Sequence, residues 1–142
     1  MKANELMIGD WVVYNGDTKY ENPIQIEGMD IGRSEELITS DREDVGFEGI
    51  WPIPLTPEIL EKNGWEKCNT DDDGSIQYEK EYGNINCNLW LPTDKFPGLF
   101  GCSRRWEELT QFYDMVNELP CSYVHELQHA LRLCGIEKEI IL

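Results

Sequence analysis

Apolar and polar residues alternate most regularly between Ile76 and Leu91. Ile76, Tyr78 and Tyr82 interleave with Gln77, Glu79 and Glu81, and Ile85, Cys87, Leu89 and Leu91 interleave with Asn86, Asn88 and Trp90. A period of two marks a strand with one buried face, and Gly83-Asn84 supplies a two-residue turn, so the segment predicts a β-hairpin. The first fifty residues carry the same signal in shorter runs. Trp11-Val12-Val13-Tyr14 follows Gly9-Asp10 and stops at Asn15-Gly16; Ile24 to Met29, Glu36 to Thr39 and Phe47 to Ile50 are further strand candidates. Short strands joined by polar turns predict a small, strongly curved, barrel-like lobe, because an isolated hairpin cannot bury its apolar face.

Pro52-Ile53-Pro54-Leu55 reads as an extended connector, since prolines lack the amide donor that a sheet interior requires. Thr56 then fits an N-cap, Pro57 the first helical position, Glu58 the positive end of the helix dipole and Gly64 the left-handed residue that ends the helix. A Pro- and Gly-containing loop is expected from Pro92 to Arg104. Trp106, Leu109, Phe112 or Tyr113, Val116 and Leu119 recur at helical spacing, which predicts a helix there, although Phe112-Tyr113 and Val116 also suit a strand. Pro120 interrupts that segment, and Ser122 can cap a last helix from about Tyr123 to Cys134, before Gly135. The expected fold class is α+β. Residues 1–51 are expected to form a β-rich N-terminal lobe, 52–64 the Pro-rich connector and short helix, and 65–142 an α+β lobe with an antiparallel meander and a C-terminal helix, all in one compact unit.

Composition narrows the function. With 142 residues and 40% hydrophobic content, the chain can bury one core of ordinary size, or two small lobes that share an interface. No apolar run approaches the roughly 18 residues needed to span a bilayer, and Met1-Lys2-Ala3-Asn4-Glu5 lacks the apolar stretch of a secretory leader, so the expected location is cytoplasmic. Cys68, Cys87, Cys102, Cys121 and Cys134 are odd in number and include no C-x-x-C pair, which argues against a disulfide framework or thiolate zinc site and for mostly reduced core thiols. The 28 acidic and 12 basic residues leave a formal charge of −16, which disfavours direct nucleic-acid binding. A solvated acidic surface is the plain reading of that charge. The sharper one is a mimic of nucleic-acid charge that occupies the groove of a basic, nucleic-acid-binding protein. Asp41-Arg42-Glu43-Asp44, Asp71-Asp72-Asp73 and Glu107-Glu108 permit it.

His125-Glu126-Leu127-Gln128-His129 matches H-E-x-x-H, in which two histidines one helical turn apart hold zinc and the glutamate is general base. At about 100° per residue the two histidines share a face, but Tyr123, Leu127, Leu131 and Cys134 cluster on the opposite side, which would turn the imidazoles to solvent. The extended zinc-protease pattern would place its glycine and third histidine at Arg132 and Gly135, and neither matches. Asn69, Asp71, Asp73 and Gly74 fit the start of a calcium loop, but its twelfth position is Lys80, and Asp73-Gly74 reads better as a tight turn. Cys121 lies near a helix start and four residues before His125, an arrangement that also suits a small loop residue. No nucleophile elbow, Walker loop or dinucleotide fingerprint is present.

Asn4-Glu5-Leu6 with Ile8-Gly9-Asp10-Trp11-Val12, Pro52 to Leu60, and Tyr123-Val124-His125-Glu126-Leu127-Gln128 together resemble a family of small uncharacterised proteins of Bacteroides-type gut bacteria and their prophages or mobile elements. In similar proteins the last block often reads Y-V-H-Q-L-Q-N. The resemblance therefore implies that the carboxylate of Glu126 and the imidazole of His129 are dispensable, and leaves His125 and Gln128 as candidates for a polar contact. The leading expectation is a cytoplasmic, non-enzymatic interaction protein of a bacterial mobile element, with a protein partner and no cofactor. The alternative is a zinc-dependent hydrolase with His125 and His129 as ligands and Glu126 as base.

Overall fold

The computed structural model describes residues 1, 5–14, 23–30, 36–39, 45–105 and 112–142. The chain is α+β and strand-rich, and it divides into two compact units: Met1–Pro54 with Tyr123–His125, and Leu55–Ser122 with Glu126–Leu142. Among the described residues no helix is long and apolar enough to cross a membrane.

The first unit contains β1 (Trp11–Tyr14), β2 (Pro23–Asp30), β3 (Glu36–Thr39), β4 (Val45–Gly46) and β5 (Ile50–Pro52), in the spatial order β4-β3-β2-β1-β5 with antiparallel neighbours. Pro23 to Gln25 pair with β1, while Ile26 to Asp30 pair with β3 across a register shift between Ile26 and Gly28. One strand thus passes from one neighbour to the next, and the irregularity supplies the bend that the short strands predict. Among the described residues β4 and β5 do not pair, so the curved sheet is not a closed barrel. Leu6, Val12, Ile24, Ile26 and Ile50 form its core. The fully buried Asp10 accepts the Met7 N–H on Oδ2 at 2.7 Å and fixes the turn into β1. Phe47 to Gly49 make a 3-10 turn instead of the expected strand, and Gly49 lies against the Tyr14 ring, 2.8 Å from where a Cβ would stand.

The second unit opens with α1 (Pro57–Lys62). Its signals act as expected: Thr56 Oγ1 accepts the Ile59 N–H at 3.3 Å, and Gly64 adopts φ 80°. There follow β6 (Glu66–Thr70), β7 (Ile76–Tyr82), β8 (Ile85–Trp90), β9 (Leu99–Arg105) and β10 (Phe112–Pro120), an antiparallel meander in chain order. Tyr78, Leu89 and Phe100 pair across three strands and are all buried, so the hairpin's apolar alternation points to the core. The Tyr78 hydroxyl donates to Glu61 Oε1 at 3.0 Å, which ties α1 to that face.

Three expectations are corrected here. The loop expected from Pro92 to Arg104 contains β9, whose alternation is interrupted by Gly101. The helix expected around Phe112 to Leu119 is β10, while Trp106 and Leu109 lie outside the described residues. Register shifts between Asp114 and Val116 and between Val116 and Leu119 place extra residues in β10, so its sheet-facing positions recur at intervals of two to three residues and imitate a helical period. Glu118 takes φ 53° within the second shift. Finally, Cys102 and Cys134 form a disulfide between β9 and the end of the last helix, leaving Cys68, Cys87 and Cys121 as free thiols.

Gly98 precedes β9 where the backbone passes Cys121 too closely for any side chain: a Cβ would overlap the Cys121 carbonyl oxygen. Gly98→Ala should destabilise the fold by about 3 kcal/mol. Gly46→Ala, with nothing within 4 Å of the added methyl, should stay within about 0.5 kcal/mol of the parent in the same urea titration.

Burial pushes the Cys87 thiol from 9.0 up to about 12, against the pull of Lys80, and pushes the Tyr82 phenol from 10.0 up to about 12. The Cys121 thiol is raised too, by burial and then by the Glu126 carboxylate. Folded-state values above the unfolded ones mean that stability is fully present below about pH 9 and is lost as pH rises toward 12. The Cys68 thiol and the Tyr78 phenol are raised as well, chiefly by burial, and Lys80, lowered from 10.5 chiefly by burial, acts in the opposite direction as one group against five. Denaturant midpoints should be level from pH 7 to 8.5 and fall above pH 9, with a shallower fall in Cys87→Ala.

Candidate functional site

The last helix, α2 (Val124–Leu133), starts from a hydrogen-bonded junction at Ser122. Its backbone N–H donates to Glu126 Oε2 at 2.7 Å, its carbonyl accepts the Leu55 N–H at 3.0 Å and its hydroxyl oxygen accepts the Gly98 N–H at 3.0 Å. Glu126 sits in the first turn, where its charge favours the helix dipole and its side chain can reach back to the preceding backbone. The carboxylate of the H-E-x-x-H match therefore has a structural occupation.

His125 and His129 lie one turn apart on α2, and the His125 ring stacks on Tyr123 with ring centroids 6.0 Å apart. His125 is only 4% exposed and Gln128 6%, while His129 is half-buried. This corrects the expectation that both imidazoles face solvent. Val124 is buried as well and widens the arc beyond the Tyr123, Leu127, Leu131 and Cys134 stripe toward Gln128 and His125, while buried Ala130 widens it on the other flank. Among the described residues no group of three or more His, Cys, Asp or Glu side chains is placed to hold a metal ion. A hydrolytic zinc centre needs a third ligand and an open coordination position besides His125 and His129. Cys121 is fully buried and its thiol is raised, the reverse of an activated nucleophile.

A different cluster emerges on the second unit's sheet. Glu66 on β6 stands directly across from Glu79 on β7, and Glu81 follows two residues along the same face. All three are exposed, as is Asp114, which pairs with Ser103 on the far side of the sheet. Glu79 and Glu81 were legible as the polar half of the hairpin. Their pairing with Glu66 was not, because β6 is exposed at every position and shows no alternation. Asp71 to Gly74 form the turn between β6 and β7, with the Gly74 N–H on the Asp71 carbonyl at 3.0 Å and the Ser75 N–H on Asp73 Oδ1 at 2.9 Å. The clusters at residues 41–44 and 107–108 lie outside the described residues. Of the tryptophans, Trp65 is buried, Trp11 and Trp90 are half-buried and Trp51 is 55% exposed on β5; Trp106 lies outside the described residues.

Comparison with family models, with curated proteins and with solved structures finds no match to this chain.

The Ser122 junction needs an acceptor at position 126 and not a charge. Glu126→Gln should keep the helix and hold stability within about 0.5 kcal/mol of the parent, whereas Glu126→Ala should cost about 1 kcal/mol by urea denaturation. Equal losses in both variants would mean that the charge, and not the hydrogen bond, is what matters.

Proposed function

We propose that the protein is a non-enzymatic interaction module that presents the Glu66, Glu79 and Glu81 face to a basic protein partner. The observation that carries this reading is the direct pairing of Glu66 with Glu79. Like charges at directly opposed positions destabilise a sheet, and a cationic partner removes that repulsion. A formal charge of −16 adds long-range attraction to the local pairing. The partner is a basic, nucleic-acid-binding protein that meets this face in place of nucleic acid. The resemblance to proteins of bacterial mobile elements supports a cytoplasmic setting and such a host target. The zinc-hydrolase alternative, with His125 and His129 as ligands and Glu126 as base, has only the shared helix in its favour.

Net charge alone attracts any polycation, so the test compares variants of equal charge. One carries Glu66→Gln, Glu79→Gln and Glu81→Gln; the other carries Asp71→Asn, Asp72→Asn and Glu137→Gln at exposed positions elsewhere in the same unit. With an arginine-rich peptide as probe, the first should bind at least about fivefold more weakly than the second, and the difference should shrink as salt is raised. The first should also be more stable than the parent by about 0.2–1 kcal/mol at low salt. Equal binding by the two variants would leave a diffuse acidic surface and no docking face.

A further inference from the structure

In this acidic chain a group of positive charges lines a cavity of about 480 Å³ in the second unit. Lys62, Lys80 and Lys138 border it, three of the chain's 12 basic residues. The exposed Ile141 side chain and the half-buried ring of Tyr82 supply its apolar surface, with Leu131 and Ile140 buried beneath. Its size lies within the roughly 300–1,000 Å³ typical of small-molecule sites, and apolar walls with a few convergent charges are their usual make-up.

The lysines are not equivalent. Lys62 Nζ donates to the Leu142 carbonyl at 2.7 Å, and the Asn63 side chain holds Ile141 by both its N–H and its carbonyl, each at 2.8 Å, so this rim is built. Lys80 Nζ donates to the Asn63 carbonyl and stands 4.7 Å from the centroid of the Tyr82 ring. Burial and the neighbouring Lys138 ammonium lower the Lys80 pKa, and no carboxylate contributes to that shift. Glu81 and Glu139 also border the cavity, but among the described residues neither forms an ion pair with Lys80 or Lys138. Two ammonium groups held near each other in a chain with 28 acidic residues are a local cost that a bound anion removes.

We propose that this cavity binds a small organic carboxylate, its charge between Lys80 and Lys138 and its apolar body on Ile141 and the Tyr82 ring. The site takes ligands of the charge opposite to those of the acidic face, and Glu81 borders both. Inorganic anions satisfy the lysines but leave the apolar wall uncovered. Aliphatic amines cover the wall but meet the wrong charge.

The probes are hexanoate, acetate, hexylammonium and inorganic phosphate, titrated into isotopically labelled protein and followed by amide chemical shifts. Hexanoate should give saturable shifts centred on Tyr82, Lys138 and Ile141, with acetate at least about tenfold weaker because it buries fewer methylenes. Lys138→Gln, an exposed change that leaves the packing alone, should weaken hexanoate by about tenfold, and adding Lys80→Gln should abolish saturation. Should the double variant fail to fold, the single Lys138→Gln variant decides. Acetate or phosphate binding as tightly as hexanoate would overturn the apolar half of the assignment, hexylammonium binding equally well would overturn the charged half, and no saturable shift with any probe would remove the site.

Discussion

Ser122 is the point on which the second unit's local geometry depends. Its backbone N–H, backbone carbonyl and hydroxyl oxygen each have a partner: Glu126 four residues on, and Leu55 and Gly98 from distant parts of the sequence. Leu55 immediately precedes the Thr56 cap of α1, and Glu126 lies in the first turn of α2, so both helices enter the fold beside the same residue. Only three residues separate the end of β10 from the start of α2, too few to hide a mismatched polar group. Each backbone group left without a partner there would cost about 1–3 kcal/mol. Gly98 follows from the same crowding, because the chain that delivers its N–H to Ser122 passes the Cys121 carbonyl with no room for a side chain.

Electrostatics arranges this unit in two opposite ways. On the sheet, β6 and β7 oppose two glutamates at a directly paired position, where alternating signs would be more stable. At the cavity, Lys80 and Lys138 lie close together although carboxylates are more than twice as numerous in the chain as cations. A surface selected only for solubility would intersperse the signs. Grouping like signs in this way leaves repulsion that the two proposed ligands, a basic protein for the glutamates and an organic anion for the lysines, would relieve.

What could be read in the sequence was whatever depended on local chemistry. The α1 caps, the Gly83-Asn84 turn and the alternation of β7 and β8 are set by residues within a few positions of each other, and the structure has them where the pattern put them. β6 was illegible because an edge strand exposed at every position has no inward side to write an apolar period. β10 was misread because its two register shifts stretch the strand period. The Cys102–Cys134 disulfide joins residues 32 apart, and the Glu66–Glu79 pairing depends on a strand the pattern did not reveal; neither is a property of any short window. The burial of His125 was missed for a related reason, since a wheel built on the largest apolar residues omitted Val124.

The resemblance of residues 125–129 to a zinc-protease motif has its own physical origin. The first turn of a helix favours an acidic residue, because the unpaired N–H groups and the positive end of the dipole both attract a carboxylate. Glu126 meets that preference through the Ser122 N–H, with no metal involved. A histidine on either side at the right interval completes the pattern, and a four-residue interval is also the spacing of any two residues stacked on one helix face. What distinguishes a metal centre from such a helix start is a third ligand and an open position. Here the helix-start requirement alone accounts for Glu126, and glutamine, which keeps an acceptor oxygen, meets it as well.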